Sequence, residues 1–196
     1  MKKLLMLLFL MTISLGQSQT LRLGFESGES GYAFEPFGGF AIQPVEAGTG
    51  SNTSLVLPII ANPAGQIWQG CNFVLTTPVE LIASKTMTID VLSSVPVTFL
   101  MKVNGGVAGA PEAAAQATHN GDGTWQTISF TFNTSLDGKA ATANGVYNTM
   151  VLHPFFPFSG GASAQTFYID IDNPPGIQEF KSETNIAPGQ EIKFTS

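Results

Sequence analysis

Alternation of apolar and polar residues is the strongest pattern in this chain, and it is clearest in Thr124–Phe132, TWQTISFTF. Successive strand side chains point to opposite faces, so Gln126, Ile128, Phe130 and Phe132 share one side and Trp125, Thr127, Ser129 and Thr131 the other. The apolar set suits burial against a second sheet, and the set that is polar after its Trp suits an exposed face. An Asn120-Gly121-Asp122-Gly123 turn leads into the strand.

The same reading places strands at Leu21–Glu26, Ser54–Ile60, Trp68–Leu75, Pro78–Leu81, Thr86–Leu92, Pro96–Val103, Val146–Leu152 and Thr166–Ile171. Pro58 removes a ladder donor, which predicts an edge or a bulge at that end of its strand. Tyr32–Val45 mixes Phe34, Phe37 and Phe40 with Gly and Pro in no regular period, which predicts a long loop with a short strand near Phe40–Gln43. Glu112–Ala117 reads equally as a short helix or as a strand of small residues. Asn133–Asn144 is a polar connection, and His153–Ala164 is a loop around PFFPFSGG. Eight or nine strands with no long helix and no fixed repeat predict an all-β fold, a jelly-roll β-sandwich of two antiparallel sheets.

Three segments divide the chain. Residues 1–18 carry a basic Met1-Lys2-Lys3 start, an apolar Leu4–Leu15 run and small residues at plausible cleavage positions, the pattern of a secretory signal peptide. The apolar run is shorter than the ~20 residues a bilayer span needs, so no membrane insertion is expected. Residues 19–173 form the sandwich, closed by Asn173-Pro174-Pro175-Gly176. Residues 174–196 read as a linker and the start of a truncated immunoglobulin-like or polycystic-kidney-type domain, so further domains of a longer protein are expected as partners. The expected address is secreted, cell-surface or periplasmic.

Charge narrows the partners. Without Lys2 and Lys3 the chain keeps 6 basic residues against 14 acidic ones, a net charge of about −8, which argues against nucleic acid. Cys71 is the single cysteine, so no internal disulfide forms; it is either a reactive thiol or, within CNFVL, a buried and inert one.

Catalytic motifs are missing from the sequence. His119 and His153 fit no metal-ligand spacing, and there is no G-x-S-x-G elbow. A glycoside hydrolase would need a carboxylate pair assembled from distant strands. The carboxylates suit a cation instead: Glu26 ends the first strand and Asp170 lies in the last, with Ser51 and Asn52 available to complete an oxygen-only shell, a donor set that suits Ca²⁺. The bland alternative is a set of solvated acids at strand ends.

Two aromatic features remain. Trp68 and Trp125 each open a strand, as stacking platforms for sugar rings or as core residues. Alternation gives Lys102 and Tyr168 outward positions, so one sheet face carrying Trp125, Lys102 and Tyr168 is expected to form a shallow glycan groove, with Trp125 the first ring and Trp68 the second. Phe155 and Phe156, in the His153–Phe158 loop, either cap the core or form a rival binding surface.

The succession SNTSLVL, WQGCNFVL, VTFLMKV, GTWQTISFTF, VYNTMVLHPFF and TFYIDI resembles the galactose-binding-like β-sandwich modules found with laminarinase-type secreted glucanases of marine Bacteroidetes. The resemblance covers about residues 21–173. It implies a jelly roll, a carbohydrate-binding role and a structural calcium near the first and closing strands, where Glu26 and Asp170 stand. The chain departs from the family pattern at Ile171, between Asp170 and Asp172, and in the 153–157 loop, which lacks the family's Asp. The expected function is a non-catalytic carbohydrate-binding module for a polysaccharide, neutral because cations are few, with β-glucan favoured. The alternative is a structural or adhesive spacer domain with both Trp rings buried.

Overall fold

Ile128, Phe130 and Phe132 are buried while Thr127, Ser129 and Thr131 are exposed, so the alternation of TWQTISFTF is realised as a half-buried strand. The computed structural model describes residues 25–26, 32–157 and 164–171, with only the backbone of Tyr32 and Thr77. The expected signal peptide, nearly all of the expected Leu21–Glu26 strand and the 174–196 segment lie outside the described residues. Among the described residues no helix is long and apolar enough to cross a membrane.

The described residues form eleven strands: β1 (Tyr32–Phe37), β2 (Ala41–Ile42), β3 (Glu46–Ala47), β4 (Leu55–Ala61), β5 (Gly70–Glu80), β6 (Thr86–Leu92), β7 (Val97–Gly106), β8 (Ala113–His119), β9 (Trp125–Thr131), β10 (Val146–His153) and β11 (Gln165–Asp170). They form a five-stranded sheet in the order β1-β5-β10-β7-β8 and a six-stranded sheet that includes β2-β4-β11-β6-β9, with β3 also paired to β4. All strand pairs are antiparallel. The chain is an all-β jelly-roll sandwich of two antiparallel sheets.

The inner faces meet in one apolar layer. Phe73, Phe99, Met101 and Tyr147 come from the five-stranded sheet, and Leu57, Ile89, Phe130 and Phe167 from the six-stranded one, all at most 1% exposed. Phe99 meets Phe167 edge-on across the layer, with centroids 5.3 Å apart at 77°. That is a favoured geometry for aromatic rings, whose faces are negative and edges positive. Cys71 is fully buried on this inner side, and desolvation pushes its thiol up to about 12, which makes it inert.

Three sequence expectations change, and the open choice at Glu112–Ala117 is decided. Tyr32–Phe37 is a strand rather than loop; it lies at a sheet edge, where Pro36 is tolerated. Trp68–Leu75 and Pro78–Leu81 belong to one strand, β5, whose pairing with β10 shifts register between Thr149 and Tyr147; Pro78 sits opposite that irregularity. Trp68 lies just before that strand. Ala113–His119 is a strand, not a helix. Its Ala113, Ala114 and Ala115 are all nearly inaccessible, so both faces are covered and only small side chains fit. Pro58 meets its expectation: its carbonyl accepts from Gln43, between the two-residue strands β2 and β3, so its missing N–H falls at the break in the edge ladder.

Candidate functional site

Acids near the two ends of the described residues converge on one loop and the strand it enters. Glu26 Oε1 accepts from the Leu55 amide at 2.6 Å, and Asn52 Nδ2 donates to Asp170 Oδ2 at 2.7 Å. Asn52 Oδ1 accepts in turn from the Ser54 amide at 2.8 Å. Asp170 is 2% exposed, an unusual place for a carboxylate. Ser51 is exposed in the adjacent turn. The described residues hold no group of three or more His, Cys, Asp or Glu suited to a metal, so any cation here would rely on two carboxylates plus amide and carbonyl oxygens. An oxygen-only donor set suits a hard cation; as placed, the Asn52 amide turns its nitrogen to Asp170 and its oxygen to Ser54, so a cation would need that amide reversed.

The expected glycan face is corrected by the topology. Trp125 and Tyr168 lie on the six-stranded sheet, where Leu92 pairs with both, whereas Lys102 lies on β7 of the five-stranded sheet. Alternation gives each side chain a face within its own sheet, but not which sheet it joins. The Trp125 indole N–H donates to the Thr49 carbonyl at 2.7 Å, so the half-buried ring anchors the 48–54 loop. Phe155 is half-buried and packs edge-on against Phe167, with centroids 5.7 Å apart, in a capping role. Phe156 is half-buried, and its amide donates to the Thr98 carbonyl.

Trp68 is the exposed ring. It is 48% accessible, beside Ile67 at 51%, at the outer corner of the five-stranded sheet. Its ring stacks on Phe37, with centroids 6.0 Å apart at 26°, and Phe37 meets the His153 ring edge-on at 5.4 Å. Beneath it, the fully buried Gln69 binds the Asn62 amide at 2.7 Å and the Asn62 and Gln66 carbonyls at 2.8 and 3.1 Å. His153 Nδ1 bonds the Trp68 carbonyl at 2.9 Å. Burial holds the His153 imidazole below its ordinary 6.5; Lys102 adds to this, while the Trp68 and Gln69 backbone and Asp137 oppose it. Gly38, at φ +68°, lies against the same segment, where a Cβ would come within 2.8 Å of the Gln69 Cα. The ring is exposed but its support is fixed.

On the outer face polar groups flank a covered apolar strip, since Val151 and Leu100, beside Lys102, are buried there. Glu35 pairs with Asn72, Asn72 with Val151, and Val151 with Lys102 in cross-strand register. Lys102 Nζ meets Asp137 Oδ2 at 2.5 Å, with side chains only 17% and 30% exposed. Asp137 and Gly138 both have left-handed backbones, φ 51° and 71°, and the Lys139 amide closes the turn on the Leu136 carbonyl. Asp-Gly is a favoured pair for such a turn. The connection is clamped again where Lys139 binds Glu112 at 2.5 Å and Ala140 bridges Ala113. Sequence reasoning missed Phe37, Gln69 and Asp137; only the Asp137-Gly138 dipeptide carried a local signal.

No described protein family matches the chain by sequence, and no curated protein does. Among solved structures it is similar to an exo-beta-agarase, at 15% identity and TM-score 0.51, over 78% of this chain and 24% of that one. The chain thus spans about a quarter of that agarase's length, and the likeness shows the sandwich fold. A family 11 carbohydrate-binding module of a cellulosomal cellulase of Clostridium thermocellum is similar at 13% identity and TM-score 0.45, over 76% of this chain and 89% of that one. A family 11 module from Clostridium thermocellum, in complex with a β-1,3-1,4-mixed-linked tetrasaccharide, is similar at 13% and 0.42, over 71% and 85%.

Proposed function

We propose that the chain is an exported, non-catalytic carbohydrate-binding module that takes a neutral polysaccharide, β-glucan first, on the outer face of the five-stranded sheet. The supporting observation is Trp68, exposed yet held by Phe37 stacking, the Gln69 network and His153. A flat ring fixed before the ligand arrives stacks on the C–H face of a sugar with little ordering cost. Glu35, Asn72, Lys102 and Asp137 supply hydrogen-bonding groups along the same face.

Affinity electrophoresis against laminarin, mixed-linkage glucan, xylan, agarose and alginate tests this reading. Retardation by a neutral glycan is expected, lost at least about tenfold in Trp68→Ala because a few contacts dominate such sites. The melting temperature of that variant should stay close to wild type, since the ring is half in solvent. No retardation on any glycan would leave the spacer reading in possession of the field. The module is further proposed to carry a structural Ca²⁺, held by Glu26, Asn52 and Asp170, with Ser51 at its margin.

A further inference from the structure

On the reading of this face as a glycan site, we infer that Asp137 is its specificity-determining residue and that the Lys102–Asp137 pair sets the charge class of the ligand. Lys102 is the cation of the five-stranded sheet's outer face among the described residues, and it is mostly covered and bound to Asp137 at 2.5 Å. An isolated lysine there would attract uronate or sulfate groups. Bound to Asp137, its charge is neutralised, and the more exposed member of the pair is the carboxylate. The exposed Glu35, on the opposite side of the face, adds a second negative group. An anionic glycan therefore meets two carboxylates and a neutralised lysine, while a neutral one meets acceptors.

The carboxylate is also fixed in place. Asp is among the few non-glycine residues that take the left-handed backbone readily, and its neighbours fix where the carboxylate points. Here the closed Leu136–Lys139 turn, the Lys102 pair and the Lys139–Glu112 clamp hold it. One Asp137 oxygen faces Lys102, leaving acceptor capacity on the carboxylate for vicinal sugar hydroxyls. Asp137 thus touches ligand, and Lys102 is a positioning residue. Charge-assisted hydrogen bonds of this kind are about twice as strong as neutral ones.

The test compares wild type, Asp137→Asn, Lys102→Met, Lys102→Arg and Trp68→Ala on laminarin, mixed-linkage glucan and alginate, at low and high salt. Asn also tolerates the left-handed turn, so Asp137→Asn should fold with an unchanged circular dichroism spectrum. It should lose neutral-glycan affinity about tenfold, the scale of one hydrogen bond to a charged group. It should also gain alginate binding that high salt abolishes, because Lys102 is then unpaired. Lys102→Met should weaken neutral binding without creating alginate binding, and Lys102→Arg should restore it. Wild-type binding lost in Trp68→Ala but unchanged in both Asp137→Asn and Lys102→Met would overturn this inference while leaving the glycan reading intact. Absence of any wild-type binding would overturn both.

Discussion

His153 shows how one side chain couples the sheet to the Trp68 corner. Its Nδ1 bonds the Trp68 carbonyl and its ring supports Phe37, while burial and Lys102 keep it below the ordinary 6.5. The sign follows from proton uptake. Below about 6.5 the unfolded chain binds a proton that the folded chain refuses, so stability falls as pH falls, by at most ~1.4 kcal/mol per pH unit. Asp122 does not contribute in that window, because its bonds from Thr124 hold it down to about 2. Wild-type melting temperature should therefore drop between pH 7 and pH 5. His153→Asn, which keeps a donor near the Nδ1 position, should flatten that drop; equal slopes would refute the assignment. At this scale the sequence is partly legible. Cys71 in its apolar run reads correctly as a buried thiol. The two Trp rings cannot be ranked from local sequence, because exposure depends on the 48–54 loop reaching Trp125 and, among the described residues, on no such contact covering Trp68.

Elements were legible where one face is wet and the other dry. β6 and β9 keep strict alternation because their outer faces stay polar, as with Thr86 and Thr131, whose hydroxyls bond at 3.0 Å. β8 was undecidable because both of its faces are covered near Ala113–Ala115, which removes the period altogether. β1 was missed because an edge strand needs only one inward aromatic, Phe34, which meets Phe73 edge-on at 5.1 Å. The 48–54 loop offers a test at this scale. Trp125→Phe keeps an aromatic ring but removes the donor to the Thr49 carbonyl, so it should cost about 1 kcal/mol by urea denaturation. Glycan retardation should be unchanged, since the ring lies on the other sheet. A loss of binding with stability intact would instead return Trp125 to the glycan site.

At the scale of the whole molecule, the sandwich followed from strand count and spacing, but the partition of strands between sheets did not. Lys102 and Trp125 each face outward as alternation requires, yet on opposite sides of the molecule, because consecutive strands cross between sheets at several points along the chain. The convergence of Glu26, Asn52 and Asp170 was legible, since it needs only that the two ends of the domain lie together. That closure is where a cation would act globally, joining the first described segment, the 48–54 loop and the last strand through groups already aimed at residues 52–55. Binding to the folded state alone adds RT ln(1 + [L]/Kd), about 2.7 kcal/mol at a hundredfold excess of Ca²⁺ over its Kd. For a domain of this size that corresponds to roughly 5–10 °C in melting temperature. EDTA should lower the midpoint by that amount and excess Ca²⁺ should restore it, whereas Mg²⁺, which demands a tighter octahedral shell, should restore little. Asp170→Asn should remove the calcium response. Glycan retardation should survive EDTA at temperatures below the lowered midpoint, because the Trp68 corner belongs to the other sheet. A midpoint indifferent to EDTA in protein shown to contain no other bound metal would dismiss the calcium proposal without touching the glycan one.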